Sequence, residues 1–174
     1  MVVVEGGDNP LLLTEALYGP NQPRAHMSAE ENKALARRFM DEVYNKGNVD
    51  YFIDEVVASN LVVHDPTSPE GMTSGVQSAK QFVEVYRNAF PDIQMTVEDL
   101  IAEGDKVVTR WRARGTHQGE LMGIPPSGNP VEVTGITIDR IEGGKVVETW
   151  ANYDALGMMQ QVGAVPEPGQ AQGA

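Results

Sequence analysis

Two periodicities divide the chain. Between Ser28 and Asn48, apolar residues recur every fourth position as Leu35, Phe39 and Val43, with Ala36 and Met40 beside them. That spacing predicts one amphipathic helix with a single buried stripe. Ser28 and Glu31 have the spacing of a capping box, in which each side chain satisfies a free amide of the first turn. Lys46-Gly47-Asn48 closes the helix. "VDYFIDEVVA" reads as a short second helix carrying Phe52 and Val56, "NLVVHD" as a short strand and "PTSPEGMTSG" as a loop. A third helix is predicted from about Val76 to Phe90. Ser74 is its N-cap, and Ala79, Phe82, Val83, Tyr86 and Phe90 form its buried face. Pro91 stops it.

Beyond Pro91 the period becomes two. "IQMTVEDLIAEGD" is a strand closing on the Gly104-Asp105 turn. "KVVTRWRARGTHQG" places Val107, Thr109, Trp111, Ala113, Gly115 and His117 on one face, and Val108, Arg110, Arg112 and Arg114 on the other. "ELMGIPPSGNP" is a loop and "VEVTGITIDRIEGG" a strand that turns at Gly143-Gly144. In the last strand, "KVVETWANYD", the even positions put Trp150, Asn152 and Asp154 together on a face expected to point inward. A short final helix carries Leu156, Met159 and Val162. Helices first, then one strand, one helix and four antiparallel strands predict the α+β class. A curved antiparallel sheet wrapped around the amino-terminal helices would make a cone-shaped α+β barrel with an interior cavity. The domain runs over 28–166. Residues 1–27, broken by Gly6, Gly7, Pro10, Gly19, Pro20 and Pro23, are set apart as a leader or tag-like extension, the alternative being an arm on a partner subunit. Residues 167–174 are too polar and Pro/Gly-rich to fold alone and are expected to be a disordered tail.

Composition narrows the chemistry. The 174 residues carry 13 Lys and Arg against 25 Asp and Glu, a net charge of −12. So acidic a chain argues against nucleic acid and anionic lipid as partners. It contains no cysteine, which excludes disulfides, thiolate metal sites and cysteine nucleophiles. No apolar run is long enough to span a bilayer, and the first residues lack the pattern of a signal peptide, so a cytoplasmic location is expected.

"GTHQGELMGIPPSGNPVEVTGITIDRIEGGKVVETWANYDALGMMQQVG" resembles the SnoaL-like polyketide cyclase family, within the nuclear transport factor 2-like superfamily, and "ALARRFMDEVYNKGNVDYFIDEVVASNLVVHDP" looks like its amino-terminal part. The resemblance covers about Ser28 to Pro166. It implies a cone-shaped α+β barrel, a homodimer or higher homo-oligomer, no cofactor and a small apolar carbonyl-containing molecule as ligand. It also implies that Asp154 is the general acid/base of an intramolecular aldol ring closure, with His64 of "VVHDP" and His117 of "GTHQG" as pocket histidines.

Each candidate has a plainer reading beside the chemical one. Asp154 stands directly before a helix, where an acid caps free amides and faces the positive end of the dipole. Held instead against Trp150, Met158 and Met159, it would be a desolvated base. His64 and His117 are either structural or donors to a developing oxyanion. His64, Asp65, His117 and Asp154 lack the spacing of a metal site, so no metal is expected. Trp111, Trp150, Phe82 and Tyr86 are core residues that in a cone also line the pocket, and Asn152 and Met159 are expected to join them. "GIPPSGNP" is a structured hairpin loop or a lid. Arg110, Arg112 and Arg114 form a solvated face or a subunit interface, with Thr137 and Ile141 expected beside them on the next strand. A cofactor-independent cyclase-like enzyme is the leading reading. A non-catalytic small-molecule binder and a dimerisation module on the same fold are the alternatives.

Overall fold

Ser28 opens the first helix through both halves of the capping box. Its hydroxyl accepts the Glu31 amide, and the Glu31 carboxylate accepts the Ser28 amide at 2.7 Å. The computed structural model describes residues 27–68 and 74–166. The expectations for 1–26 and 167–174 fall outside these. Helix α1 spans Ala29–Phe39 and continues as a π-helical turn over Met40–Asn45. There the Lys46 amide reaches back five residues to the Asp41 carbonyl at 3.0 Å. The extra residue of a π turn rotates the following side chains around the axis, so Met40 and Val43 are buried and Tyr44 also turns inward. Gly47 then closes the segment at φ 77°, a conformation that favours glycine.

Helix α2 (Val49–Val56) runs directly into strand β1 (Val57–His64), so the strand begins earlier than "NLVVHD" suggests. Helix α3 covers Gly75–Ala89. Three hairpin-connected strands follow as β2 (Gln94–Glu103), β3 (Lys106–Thr116) and β4 (Pro130–Glu142), then β5 (Lys145–Tyr153) and helix α4 (Ala155–Gln161). The sheet order is β1-β5-β4-β3-β2, and β1 joins β5 in parallel. The sheet is curved but unclosed, an α+β cone with β1 and β2 as its edges.

Two bulges set which side chains face inward. In β2, Val97 opposes Trp111 and Asp99 opposes Arg110, leaving Glu98 as the extra residue. In β5, Val146 opposes Ile141 and Glu148 opposes Arg140, leaving Val147 extra. One inserted residue reverses the alternation beyond it. Val146 therefore faces the core, but Thr149, Ala151 and Tyr153 do so after the bulge. Trp150 and Asn152 face outward, the reverse of the sequence expectation. On β4, Thr137 and Ile141 are 8% and 4% exposed and belong to the interior, not to the arginine face. The residues opposite that face's Val108 and Arg110 are Ile138 and Ile136.

Candidate active site

The sheet's concave face and helices α1 and α3 enclose a cavity of about 180 Å³. Its wall is mostly apolar, with Phe39, Met40, Phe82, Phe90, Trp111 and Met158 among its residues. The Trp111 indole donates to Thr137 Oγ1 at 3.0 Å. It can lie across β4 because residue 135 is glycine: a Cβ there would stand 2.3 Å from the indole ring.

Two carboxylates break this wall. Asp139 shares the inward face of β4 with Val131, Val133, Thr137 and Ile141. Among the described residues its one side-chain hydrogen bond comes from Thr149 Oγ1, at 2.7 Å across the β4–β5 pair. Asp139 is half-buried and is one of the residues that line the cavity. Burial accordingly pushes its carboxyl up to about 6, partly offset by the Thr149 hydroxyl. The Tyr44 phenol lines the same cavity, and burial together with the charge of Asp139 raises its pKa, so it remains a neutral donor. The π turn that delivers Tyr44 is tied down twice. Arg87 of α3 donates to the Val43 and Tyr44 carbonyls, and the Asn45 side chain pairs with both backbone groups of Met95, at 2.7 and 3.1 Å.

The second carboxylate, Asp65, follows β1 and is 8% exposed. Its Oδ1 accepts the Thr67 amide at 2.8 Å and the Thr67 hydroxyl at 2.7 Å. Thr67 Oγ1 lies 2.6 Å from the Tyr153 hydroxyl, which lies 2.8 Å from that of Tyr86. Burial, followed by the contact with Tyr153, raises the Tyr86 pKa.

Of the residues singled out from sequence, Trp111, Phe82 and Tyr86 line this cavity. Met159 packs against the core beside it, and its neighbour Met158 lines the wall. The others lie elsewhere. Asp154 is exposed and caps α4, its Oδ1 accepting the Gly157 amide at 2.8 Å. Trp150 is outside, with the His64 ring stacked 5.1 Å away and the Lys106 ammonium 5.3 Å from its ring. His64 is exposed and its Nε2 lies 2.9 Å from Glu148. Asn152 is exposed on the same outer face. His117 is fully buried but outside the cavity wall. Its Nδ1 meets the Ser127 amide at 3.2 Å and hydroxyl at 3.1 Å, which pins the loop between β3 and β4. Among the described residues there is no group of three or more His, Asp or Glu able to hold a metal. Sequence reasoning passed over Asp139, Tyr44 and Tyr153. For Asp139 the signal was present, an acid in phase with Val131, Val133 and Ile141.

The SnoaL-like polyketide cyclase family model matches residues 34–162. No curated protein matches the sequence. Among solved structures, a candidate polyketide cyclase from Acidithiobacillus ferrooxidans is 33% identical over 78% of this chain and 97% of its own, with a TM-score of 0.68. TsrD from Streptomyces laurentii is 27% identical over 80% and 99%, with a TM-score of 0.70. IdmH from Streptomyces antibioticus, also a candidate polyketide cyclase, is 32% identical over 76% and 98%, with a TM-score of 0.64.

Proposed function

Because the chain belongs to the SnoaL-like polyketide cyclase family, we propose that it is a cofactor-independent cyclase-like enzyme that moves a proton alpha to a carbonyl. The observation that carries this reading is Asp139, a carboxylate in an apolar cavity with its pKa near 6. A base poised close to working pH is both ionised enough to act and basic enough to take a carbon-bound proton. Asp139 accepts the α-proton of a bound ketone. The enolate oxygen so formed accepts a hydrogen bond from the neutral Tyr44 phenol. The enolate carbon then attacks a second carbonyl of the same molecule, and the proton held by Asp139 goes to the new alkoxide. Atoms and charge balance with no other reactant. Asp154 keeps a capping role in this reading, and His64 and His117 hold the fold.

Solvent deuterium exchange into 2-tetralone, followed by proton NMR, tests this. The chain should accelerate exchange above buffer. Asp139→Asn should lower the enzymatic rate by roughly 10²–10⁴-fold, the usual worth of a general base, and Asp154→Asn should leave it unchanged. Binding of 2-tetralone without exchange would replace the enzyme by a non-catalytic carrier. Loss of exchange in Asp154→Asn would return the proton transfer to that residue.

A further inference from the structure

One extra residue in β5 decides what stands opposite Asp139. Val146 pairs with Ile141. Continued without Val147, that register would set Glu148 against Asp139, and two carboxylates would share the inward face. The bulge turns Glu148 outward, where it pairs with Arg140 and His64, and sets Thr149 against Asp139 instead. A like charge is thereby exchanged for a donor. As a carboxylate, Asp139 can only accept, so the Thr149 hydroxyl proton points at Asp139 Oδ1, 2.7 Å away. Thr149 is itself well fixed. Its backbone lies between Val63 of β1 and Asp139 of β4, and its branched Cβ restricts χ1. Asp139 Oδ2 makes no hydrogen bond among the described residues, and it is not sealed in as Asp65 Oδ2 is. The other titratable or charged groups of the cavity wall are Asp65, Tyr44, Tyr86, Tyr153 and Arg114. None of them hydrogen-bonds to Asp139.

We propose that Thr149 is a positioning residue for the proton transfer, holding Asp139 by Oδ1 and leaving Oδ2 as the oxygen that takes the α-proton. The C–H bond breaks, an O–H bond forms at Oδ2, and the electron pair stays on the substrate as the enolate. The inference rests on Asp139 being the base, and Thr149 acts only through it. The same hydroxyl favours the ionised carboxylate, against the burial that disfavours it.

The test follows Asp139 in two ways. Carbon-13 NMR of its carboxyl, assigned by the signal lost in Asp139→Asn, reads the titration midpoint without turnover. 2-Tetralone exchange across pH reads a midpoint and a plateau rate above it. Thr149→Val keeps the shape of the side chain and removes the donor. The carbon midpoint should rise by roughly one pH unit, the scale of one hydrogen bond to a charged group, and the exchange profile should move with it. The plateau should fall roughly ten- to a hundredfold, as misplaced catalytic groups do, although a raised midpoint makes the carboxylate the stronger base. Thr149→Ser restores the hydroxyl and should return both quantities toward the parent. Thr149→Ala carries the same expectations as Thr149→Val and replaces it if that variant does not fold. A carbon midpoint that stays in place without the hydroxyl overturns the inference. So does a raised midpoint with an undiminished plateau, since Thr149 would then act on charge alone. If the parent shows no exchange but the midpoints shift as expected, the proton-transfer reading is removed and the hold of Thr149 on the Asp139 carboxylate stands.

Discussion

Asp139 is ionised at neutral pH in a place that disfavours the charge, and that has a consequence for stability. Its folded pKa is near 6, against an ordinary value of about 3.9. Between roughly pH 4 and 6 the unfolded carboxyl releases its proton before the folded one does. The folded state then holds more protons, so stability falls as pH rises through that window and stays level above it. The cost at neutral pH is roughly 2–3 kcal/mol, from about two pKa units. Asp139→Asn should therefore be more stable than the parent by about that amount in urea titrations at pH 7.5, and nearly equal to it at pH 4. Catalysis should run the other way, the exchange rate rising through about pH 6 as the base ionises. Asp154 makes the opposite case. It is exposed and holds one amide of α4, so Asp154→Ala should cost about 1 kcal/mol, the usual worth of an N-cap. Asp154→Asn, which still caps, should cost little. Neither should change proton exchange. A pH-independent stability difference for Asp139→Asn would show that its carboxylate is better solvated than its surroundings indicate.

At the scale of elements, the site depends on single residues that let strands and helices meet. Gly135 sits under the Trp111 ring, where a Cβ would approach within 2.3 Å. Gly135→Ala should push the indole into the cavity, break its bond to Thr137 and destabilise the fold by about 1–3 kcal/mol, as overpacked cores do. Tryptophan fluorescence in a Trp150→Phe background reports the Trp111 shift directly. Unchanged emission and affinity for 2-tetralone would mean that β4 yields instead. The elements themselves were largely legible because their signals are local. The Ser28–Glu31 capping box, the stripe of α1 and the alternation of β3 each depend on neighbours a few residues away. What escaped was the phase. Val147 and the π turn at Met40–Asn45 each insert one residue, and nothing in the residue types marks either insertion. Reading β5 in phase with Val146 carried Trp150, Asn152 and Asp154 inward. The bulge carries Thr149 and Tyr153 inward instead. The same one-residue offset in α1 delivers Tyr44 to the cavity, where a strict helical period would have left it aside. Asp139 stood on an uninterrupted strand and could have been placed by parity alone.

At the scale of the whole molecule, we propose the outer sheet face as the surface for a second copy. Along that face Glu98 pairs with Arg110 and Arg112, and Glu132 with Arg112 and Arg114. The arginines are already matched within one chain, so a partner is not needed to neutralise them. The apolar residues are not so provided for: Ile101 is 61% exposed and Ile136 46%. Ile136 lies on β4, the central strand, where no edge or turn explains an exposed isoleucine. A homodimer closed over this face should be the dominant species in sedimentation velocity at micromolar concentration. Ile136→Asp should dissociate it while leaving 2-tetralone affinity unchanged, because the residue points away from the cavity. Salt distinguishes the forces at work. Two chains of net charge −12 repel one another, and added salt screens that repulsion within about 8 Å at physiological strength. Apolar association therefore predicts a dimer that tightens as salt is raised from low to moderate. If the glutamate–arginine ladder exchanged partners between the two copies, the dimer would loosen over the same range. A monomer throughout would leave Ile136 as an isolated exposed residue and remove the interface.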